Sequence, residues 1–483
     1  MSPPPASTPI GPPLVRFGRR STRGVILGFS LARVVALVGA ATVFTIGLLS
    51  DHGVGALVAV PLWAGLVAAA FVRWGGQPVA QWVPVATHYA VRRVTRQTEY
   101  HKRVFSHRPA GTLALPGRAA QLRVYQDPET SAAMIHHPTR QRLSAVLQVT
   151  APAYVLLSPD SQRDRVAAWG RLLGAMAGQH VTLQVLEATV ADPGVGVADW
   201  YREQGTHDES WADQQYRALL EAVNVEATTH RTTITVTLDM RGAARQIASS
   251  GRGVRGGAAV LGQVMAGLEH ALQAAELTIV QWQSAPQLAA MIRCAYDPAT
   301  TVIPDAPGAD LATAGPVAIS EHWDHFRHDS GWSAVLWISN WPRIDVPAHF
   351  LHSLIFTPGA RKTLSIFARP MQADEALRQL QRQKTDIVSD MAQKAKIGQI
   401  EELSDRQEWA DVLDREQALV AGHADVEFTG LVAVSAADRE QLDLAVARVK
   451  QTAGQSSCDV RVFYGRQAEG FLAAALPIGW EVL

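Results

Sequence analysis

The sequence predicts a membrane-anchored protein of the α/β or α+β class: an N-terminal two-helix transmembrane hairpin followed by a cytoplasmic body of repeated strand-helix units. Three observations carry this expectation. Val25–Leu49 and Val54–Val72 are apolar runs of membrane-spanning length, separated only by Ser50, Asp51, His52 and Gly53. The long remainder is mixed in polarity and alternates strand and helix periodicity. Basic residues crowd both flanks of the apolar pair.

Residues 1–24 read as a disordered basic tail, because the first dozen are rich in Pro with Ser and Thr and bury too little apolar surface to offset ordering. Residues 25–72 form the expected transmembrane hairpin. A hydrocarbon core about 30 Å thick takes roughly 20 apolar residues in a helix, since every backbone amide must be satisfied within the span. The second run carries no charge. The first contains Arg33, which leaves Val34–Leu49 uncharged, a short span that works if Arg33 snorkels to the headgroups. A cleaved signal peptide is the competing reading; the length of the run, the poor A-x-A site and the second run argue against it. Ala36 with Ala40 and Ala64 with Ala68 have the spacing that lets helices approach closely, although alanine richness alone also accounts for them. Pro61 is expected to kink the second helix.

Lys and Arg resist translocation and so report orientation. Arg16, Arg19, Arg20 and Arg23 precede the first run, and Arg73, Arg92, Arg93, Arg96, Lys102, Arg103 and Arg108 follow the second. Both ends of the chain are therefore expected in the cytoplasm, with the protein multi-pass in the cell (inner) membrane. The chain has 44 basic and 44 acidic residues, but twelve basic residues stand against Asp51 and Glu99 up to Arg108, leaving 32 basic and 42 acidic beyond it. Residues 73–117 thus read as a basic juxtamembrane segment and residues 118–483 as a cytoplasmic α/β domain, expected in two lobes. The lipid bilayer is the partner such a collar fits, at about 1 kcal/mol per basic residue near an anionic surface. The acidic body argues against direct nucleic-acid binding, which needs clustered positive charge. Cys294 and Cys458 are the only cysteines, too few for a disulfide framework.

Within the body, strands are expected at Leu143–Ala151, Tyr154–Ser158, Val181–Val190 and Arg231–Met240, with helices at Pro159–Gly178 and, interrupted near Gly205, at Val197–Glu226. Arg231–Met240 alternates Thr with Val and Ile and is the clearest strand. A Gly-rich break at Ser249–Gly257 precedes a helix at Ala258–Glu276, a strand at Leu277–Trp282 and a helix at Ala285–Tyr296; Thr300–Gly315 reads as a loop. Strands at Trp332–Trp341 and Lys362–Ala368 lead to a long charged helix from Ala373 to about Ala421, in which Gly398 is the weak point. Strand Glu427–Val434, helix Ala437–Ala453 and strand Asp459–Tyr464 repeat the earlier unit.

Candidate chemistry is sparse. Gly251, Gly253 and Gly256 spell G-x-G-x-x-G, but a dinucleotide fingerprint needs those glycines directly after a strand, and about ten residues intervene. A flexible linker explains the same Gly251–Gly257 composition. Gly257 and Ala258 stand where a phosphate loop requires Lys and Ser/Thr, so the chain is not expected to hydrolyse nucleotides by itself. His322, His325 and His328 recur beside Glu321 without H-E-x-x-H or a companion cysteine, and read as solvated loop histidines flanked by Trp323 and Phe326 rather than as a metal site. No G-x-S-x-G elbow is present. Trp323, Trp332, Trp337 and Trp341 are concentrated in one region, as core fillers or interface anchors. The helix carrying Arg378, Arg382, Lys384, Lys394, Lys396, Glu401, Glu402, Asp405 and Arg406 is a solvated face or, more sharply, a partner-binding arm. No residue is assigned a catalytic, cofactor-binding or metal-ligating role, and no cofactor is expected.

Four segments carry a resemblance: Tyr89–Arg103 after the hairpin, Met291–Pro298 (MIRCAYDP), Trp337–Pro347 (WISNWPRIDVP) and Ala424–Ser435 (ADVEFTGLVAVS). In their order, the chain resembles the actinobacterial membrane proteins linked to type IV secretion and conjugation. In these a PrgI-type two-helix segment is joined to a domain similar to the N-terminal part of the conjugative traffic ATPases, without the motor. The resemblance implies a non-catalytic inner-membrane structural component that docks a separately encoded traffic ATPase alongside other secretion-system subunits, as a possible homo-oligomer. A membrane component of a type VII secretion apparatus is the alternative, and a membrane-bound enzyme holding a nucleotide at the Gly251 loop a third.

Overall fold

The computed structural model describes residues 12–15, 17, 30–50, 54–103, 108–151, 154–190, 201, 205, 210–224, 229–298, 310–342, 344–396, 403–420 and 424–482. In chain order, strand β1 (Leu14–Val15) precedes helices α1 (Leu31–Leu49), α2 (Val54–Val58) and α3 (Val60–Phe71), the hairpin β2 (Arg73–Trp74) and β3 (Gln77–Pro78), and helix α4 (Val79–Val94). Strands β4 (Glu99–His101), β5 (Arg123–Gln126) and β6 (Ala133–His137) lead into β7 (Arg142–Thr150), α5 (Pro159–Met176), β8 (Val181–Val190), α6 (Trp211–Asn224), β9 (Thr229–Asp239), α7 (Ala244–Ser249), α8 (Gly253–Ala274), β10 (Thr278–Trp282) and α9 (Ala285–Tyr296). There follow β11 (Ala318–Glu321), β12 (Phe326–His328), β13 (Gly331–Asn340), β14 (Val346–Pro347), α10 (His352–Ile355), β15 (Arg361–Pro370), α11 (Ala373–Lys396), α12 (Leu403–Val420), β16 (Val426–Ala436), α13 (Arg439–Gln455), β17 (Asp459–Val462) and α14 (Gln467–Ala474). Two compact units divide the chain: one holds Met1–Phe17, Thr98–Gln372 and Ala424–Leu483, the other Gly18–Gln97 and Ala373–His423.

The first unit is built on one large sheet in which every pairing between strands is antiparallel. Its order contains the same motif twice. The first motif runs β10-β7-β9-β8, with β5 and β6 laid against the start of β7. The second runs β17-β13-β16-β15, with β11 and β12 laid against the start of β13. Each is a split βαβ arrangement: a strand, a crossover, the outer strand, a hairpin return, a second crossover helix and the other outer strand. The equivalent outer strands β8 and β15 meet antiparallel at the seam, with Val185 opposite Ile366, the pairing that a two-fold relation between the repeats produces. The repetition expected from the alternating segments is present, and antiparallel pairing puts the body on the α+β side of the expectation.

Alternation along the strands separates two cores. One face is covered by α5 and α8 over Leu143, Ala145, Leu147, Ile234 and Val236, and by α13 over Leu336, Leu364, Val432 and Val434. The opposite face receives α9 and α14, where Leu288, Ile292, Tyr296, Phe471 and Leu472 pack on Ile135, Val146, Val335, Phe367 and Leu431. Local signals set the crossover helices: Ser158 Oγ accepts from the Ser161 amide at the start of α5, and Asp438 accepts from the Gln441 amide at the start of α13.

Across the seam the second face is polar. Gln184 Nε2 donates to Ser365 Oγ and to the carbonyls of Ala473 and Leu476, and its Oε1 accepts from the Gly479 amide at 2.9 Å. The C-terminal tail thus crosses from the second repeat to the first. There the Trp480 ring stacks on His137 at 4.9 Å, lies 4.6 Å from the Arg140 guanidinium carbon, and is followed by an Arg142–Glu481 ion pair at 2.8 Å.

In the other unit, α11 and α12 form an antiparallel helical hairpin. Leu380, Ile387 and Val412 are buried between them with Met391, Trp409 and Leu419 packed alongside, and Lys384 pairs with Glu416. Two helices thus replace the single long one, and residue Gly398 lies between them, outside the described residues. The other differences are local. Tyr154–Leu156 is a 3-10 turn instead of a strand, since it leads straight into Pro159 and the capped start of α5. The helix expected over Val197–Glu226 is seen as α6, most of its N-terminal half lying outside the described residues. The short strands β5, β6, β11 and β12 had no periodic signal long enough to reveal them.

Candidate functional site: the apolar anchor and its flanks

Among the described residues one helix, α1, is long and apolar enough to cross a membrane, and it lies near the N-terminus. Residues 25–29 of the first apolar run lie outside the described residues. The second run departs from the single span expected of it. It forms α2 and α3, interrupted at Ala59, because Pro61 has no amide hydrogen to continue the ladder. Ala59 still bonds to the Gly55 carbonyl, and Leu62 and Trp63 bond to the Ala59 carbonyl, so the interruption is confined to about a turn.

Small residues hold α1 to its neighbours. Ala40 and Gly47 are buried on α1 and Ala70 on α3. A side chain at Gly55 would meet the Gly47 carbonyl oxygen at 2.7 Å, and one at Gly39 would touch Leu66 Cδ1 at 3.7 Å. Phe44 and Trp63 add an edge-to-face contact at 5.5 Å. Ala68 is exposed, so of the four alanines at interface spacing only Ala40 is fully packed. The outward surface is the reverse of a water-soluble helix: Leu31, Val35, Val38, Ile46 and Leu48 are each more than half exposed.

Both flanks of this segment enter the sheet-bearing unit. Before it, β1 pairs antiparallel with β14, Leu14 opposite Pro347 and Val15 opposite Val346, and the Ala348 amide donates to the Pro13 carbonyl at 3.0 Å. Phe17 then fills an aromatic pocket, stacked on Trp341 at 5.0 Å with Phe350 at 5.1 Å and Phe428 at 6.0 Å. After it, β4 pairs with β11, Glu99 opposite Ser320, and Lys102 Nζ donates to the Ala312 carbonyl. The pocket for Phe17 had a sequence signal in the tryptophan concentration, but its occupant had none, because Phe17 sits among residues that look like a tail.

The remaining sequence candidates resolve into packing. Gly251, Arg252 and Gly253 take positive φ values in the turn from α7 to α8. Cβ atoms at Gly256 and Gly257 would strike the Ile247 carbonyl oxygen at 2.4 Å and Met240 Cε at 2.9 Å. The glycines therefore let two helices abut, with α7 standing where a nucleotide fold needs a strand. His322, His325 and His328 do not converge. The first two stack at 4.6 Å outside the β11–β12 turn, with Asp324 bonded to His325 and Arg439. His328 is fully buried: its Nδ1 bonds to the Tyr296 carbonyl and its Nε2 to Ser333 Oγ, which continues to Ser435 Oγ. Burial holds its pKa at about 4. Among the described residues no group of three His, Cys, Asp or Glu side chains could hold a metal ion. Trp332 packs against His325, Trp323 on Tyr464, Trp337 on the second core face and Trp341 on Phe17. Burial lowers the Lys362 amine to about 8; its Nζ donates to the Thr357 carbonyl.

Comparison with known proteins finds no family model that matches the chain and no match among curated proteins.

Proposed function

We propose that this chain is a non-catalytic, two-pass structural component of the inner membrane in a type IV secretion-like, conjugative translocation system, whose cytoplasmic body docks a separately encoded traffic ATPase. One observation carries the anchoring: Leu14–Phe17 before the apolar segment and Glu99–His101 after it belong to the same sheet-bearing unit. A chain whose two flanks are built into one unit crosses a bilayer an even number of times. If α1 spans, Val54–Phe71 spans as well. At about 1.5 Å per residue, α1 covers about 28 Å and Val54–Phe71 about 27 Å, close to a core of about 30 Å. The Pro61 interruption is tolerable where neighbouring helices re-satisfy the backbone.

The secretion-system part rests on the four resembling segments. Met291–Pro298 supplies the carbonyls of Cys294 and Pro298 that accept from half-buried Arg361, Trp337–Pro347 builds the Phe17 pocket and β14, and Ala424–Ser435 is the core of β16. These are scaffold roles, which suits a platform.

The topology is tested with single cysteines in intact protoplasts. Ser50→Cys is expected to react with a membrane-impermeant maleimide from outside, and Glu129→Cys only after permeabilisation; outside labelling of Glu129→Cys overturns the anchoring. For the assembly, crosslinking in native membranes followed by mass spectrometry is expected to recover a traffic ATPase. Recovery of type VII secretion subunits instead shifts the reading to that apparatus.

A further inference from the structure

We infer that helix α4 lies along the cytoplasmic membrane surface, its outward apolar stripe seated among the headgroups of an anionic leaflet. This rests on the membrane reading above and extends it from the spans to a lipid-binding element.

Helix α4 turns an apolar stripe outward in addition to its packed side. Val83, Ala86, Ala90 and Val94 recur at helical spacing and all are exposed, as is Val91 beside them; Val83, Val91 and Val94 are 55%, 56% and 84% exposed. The half-buried positions are Val79, Gln81, Trp82, Val85, Tyr89 and Arg92, so Gln81 and Arg92 lie on the packed side, while Thr87, His88 and Arg93 are exposed. Water gives no reason to turn that apolar stripe outward.

What covers it follows from three features of the chain. First, α3 ends at Phe71 and the chain reverses within Arg73–Pro78 through Gly75 and Gly76, both at positive φ, so α4 starts beside the end of the apolar segment. Buried Pro78 and Ala80 fix that start, where α4 packs on α1 and α3. Second, Trp74 and Trp82 meet edge-to-face at 5.1 Å, with Trp82 Nε1 donating to the Trp74 carbonyl at 2.9 Å and Trp74 47% exposed. Tryptophan at the end of a span marks the headgroup level. Third, exposed Arg93 in the last turn and exposed Arg96 just past it place cations where anionic headgroups lie.

The test uses the full chain with Cys294→Ser, reconstituted in vesicles of phosphatidylcholine and phosphatidylglycerol and spin-labelled at one added cysteine. Labels at Val83→Cys and Val91→Cys are expected to be reached by oxygen in preference to a water-soluble nickel chelate. The label at His88→Cys, off the stripe, is expected to show the reverse preference. Nickel preference at Val83 and Val91 overturns the inference. Mutual dipolar broadening of the Val91 label also overturns it, because a second copy then covers the stripe. A label at Val38→Cys in α1 separates the two readings: oxygen preference there with nickel preference on α4 removes only the surface helix, and nickel preference at Val38 removes the membrane reading itself.

Discussion

His328 shows how burial settles what a residue type leaves open. Three histidines at a spacing of three suggest ligands, but on the β11–β12 turn they divide, two outside and one inside. With its folded pKa held at about 4 against an ordinary 6.5, His328 is neutral in the fold, while the unfolded chain takes up a proton first as pH falls. Its contribution is therefore intact above pH 6.5 and is lost progressively down to about 4, by roughly 3 kcal/mol at about 1.4 kcal/mol per pH unit. Unfolding in detergent at pH 7 and pH 4.5 is expected to show a smaller acid loss for His328→Gln than for the native chain; equal losses show that this imidazole is not the sensitive group. Gly479 is decided by close approach. It sits at φ +65°, and a Cβ there would lie 2.1 Å from Thr237 Oγ1. Gly479→Ala is expected to cost about 3 kcal/mol in urea denaturation, with Thr237→Ala recovering part of it. A native midpoint for Gly479→Ala would mean that the tail does not rest on β9.

At the scale of elements, insertion points matter more than element types. Residues between β15 and β16 form a helical hairpin, yet the two strands pair in register to their ends, Pro370 opposite Val426, and the Met371 amide still reaches the Asp425 carbonyl. The hairpin is thus an addition to a turn that closes without it. Replacing residues 373–423 with an Asn-Gly turn is expected to leave the strand signal and melting temperature of the sheet-bearing unit unchanged; loss of soluble folded body would show that the arm supports it. The same site in the first repeat, between β8 and β9, also carries inserted chain, including α6. Strands of eight or more residues and the crossover helices were legible from periodicity. Of the strands of three to five residues, β10 and β17 were legible as well, but β6 and β12 were not, because tertiary pairing rather than their own pattern holds them extended.

Across the whole molecule, the apolar pair, the charge asymmetry and the repeated strand-helix units are properties of composition and period, and follow from the order of residues alone. Local backbone physics acts within a few residues, so apolar runs and alternation can be read without coordinates. The absence of a phosphate-loop lysine after Gly256 is equally local. Other features arise from contacts between residues far apart in the chain. Pairing of β8 with β15 makes two repeats one sheet, the tail at Gly479 ties the second repeat to the first, and Phe17 finds its pocket more than three hundred positions away. No window of sequence contains both partners of such contacts, and their stability comes from shape and burial that exist only once the chain is folded.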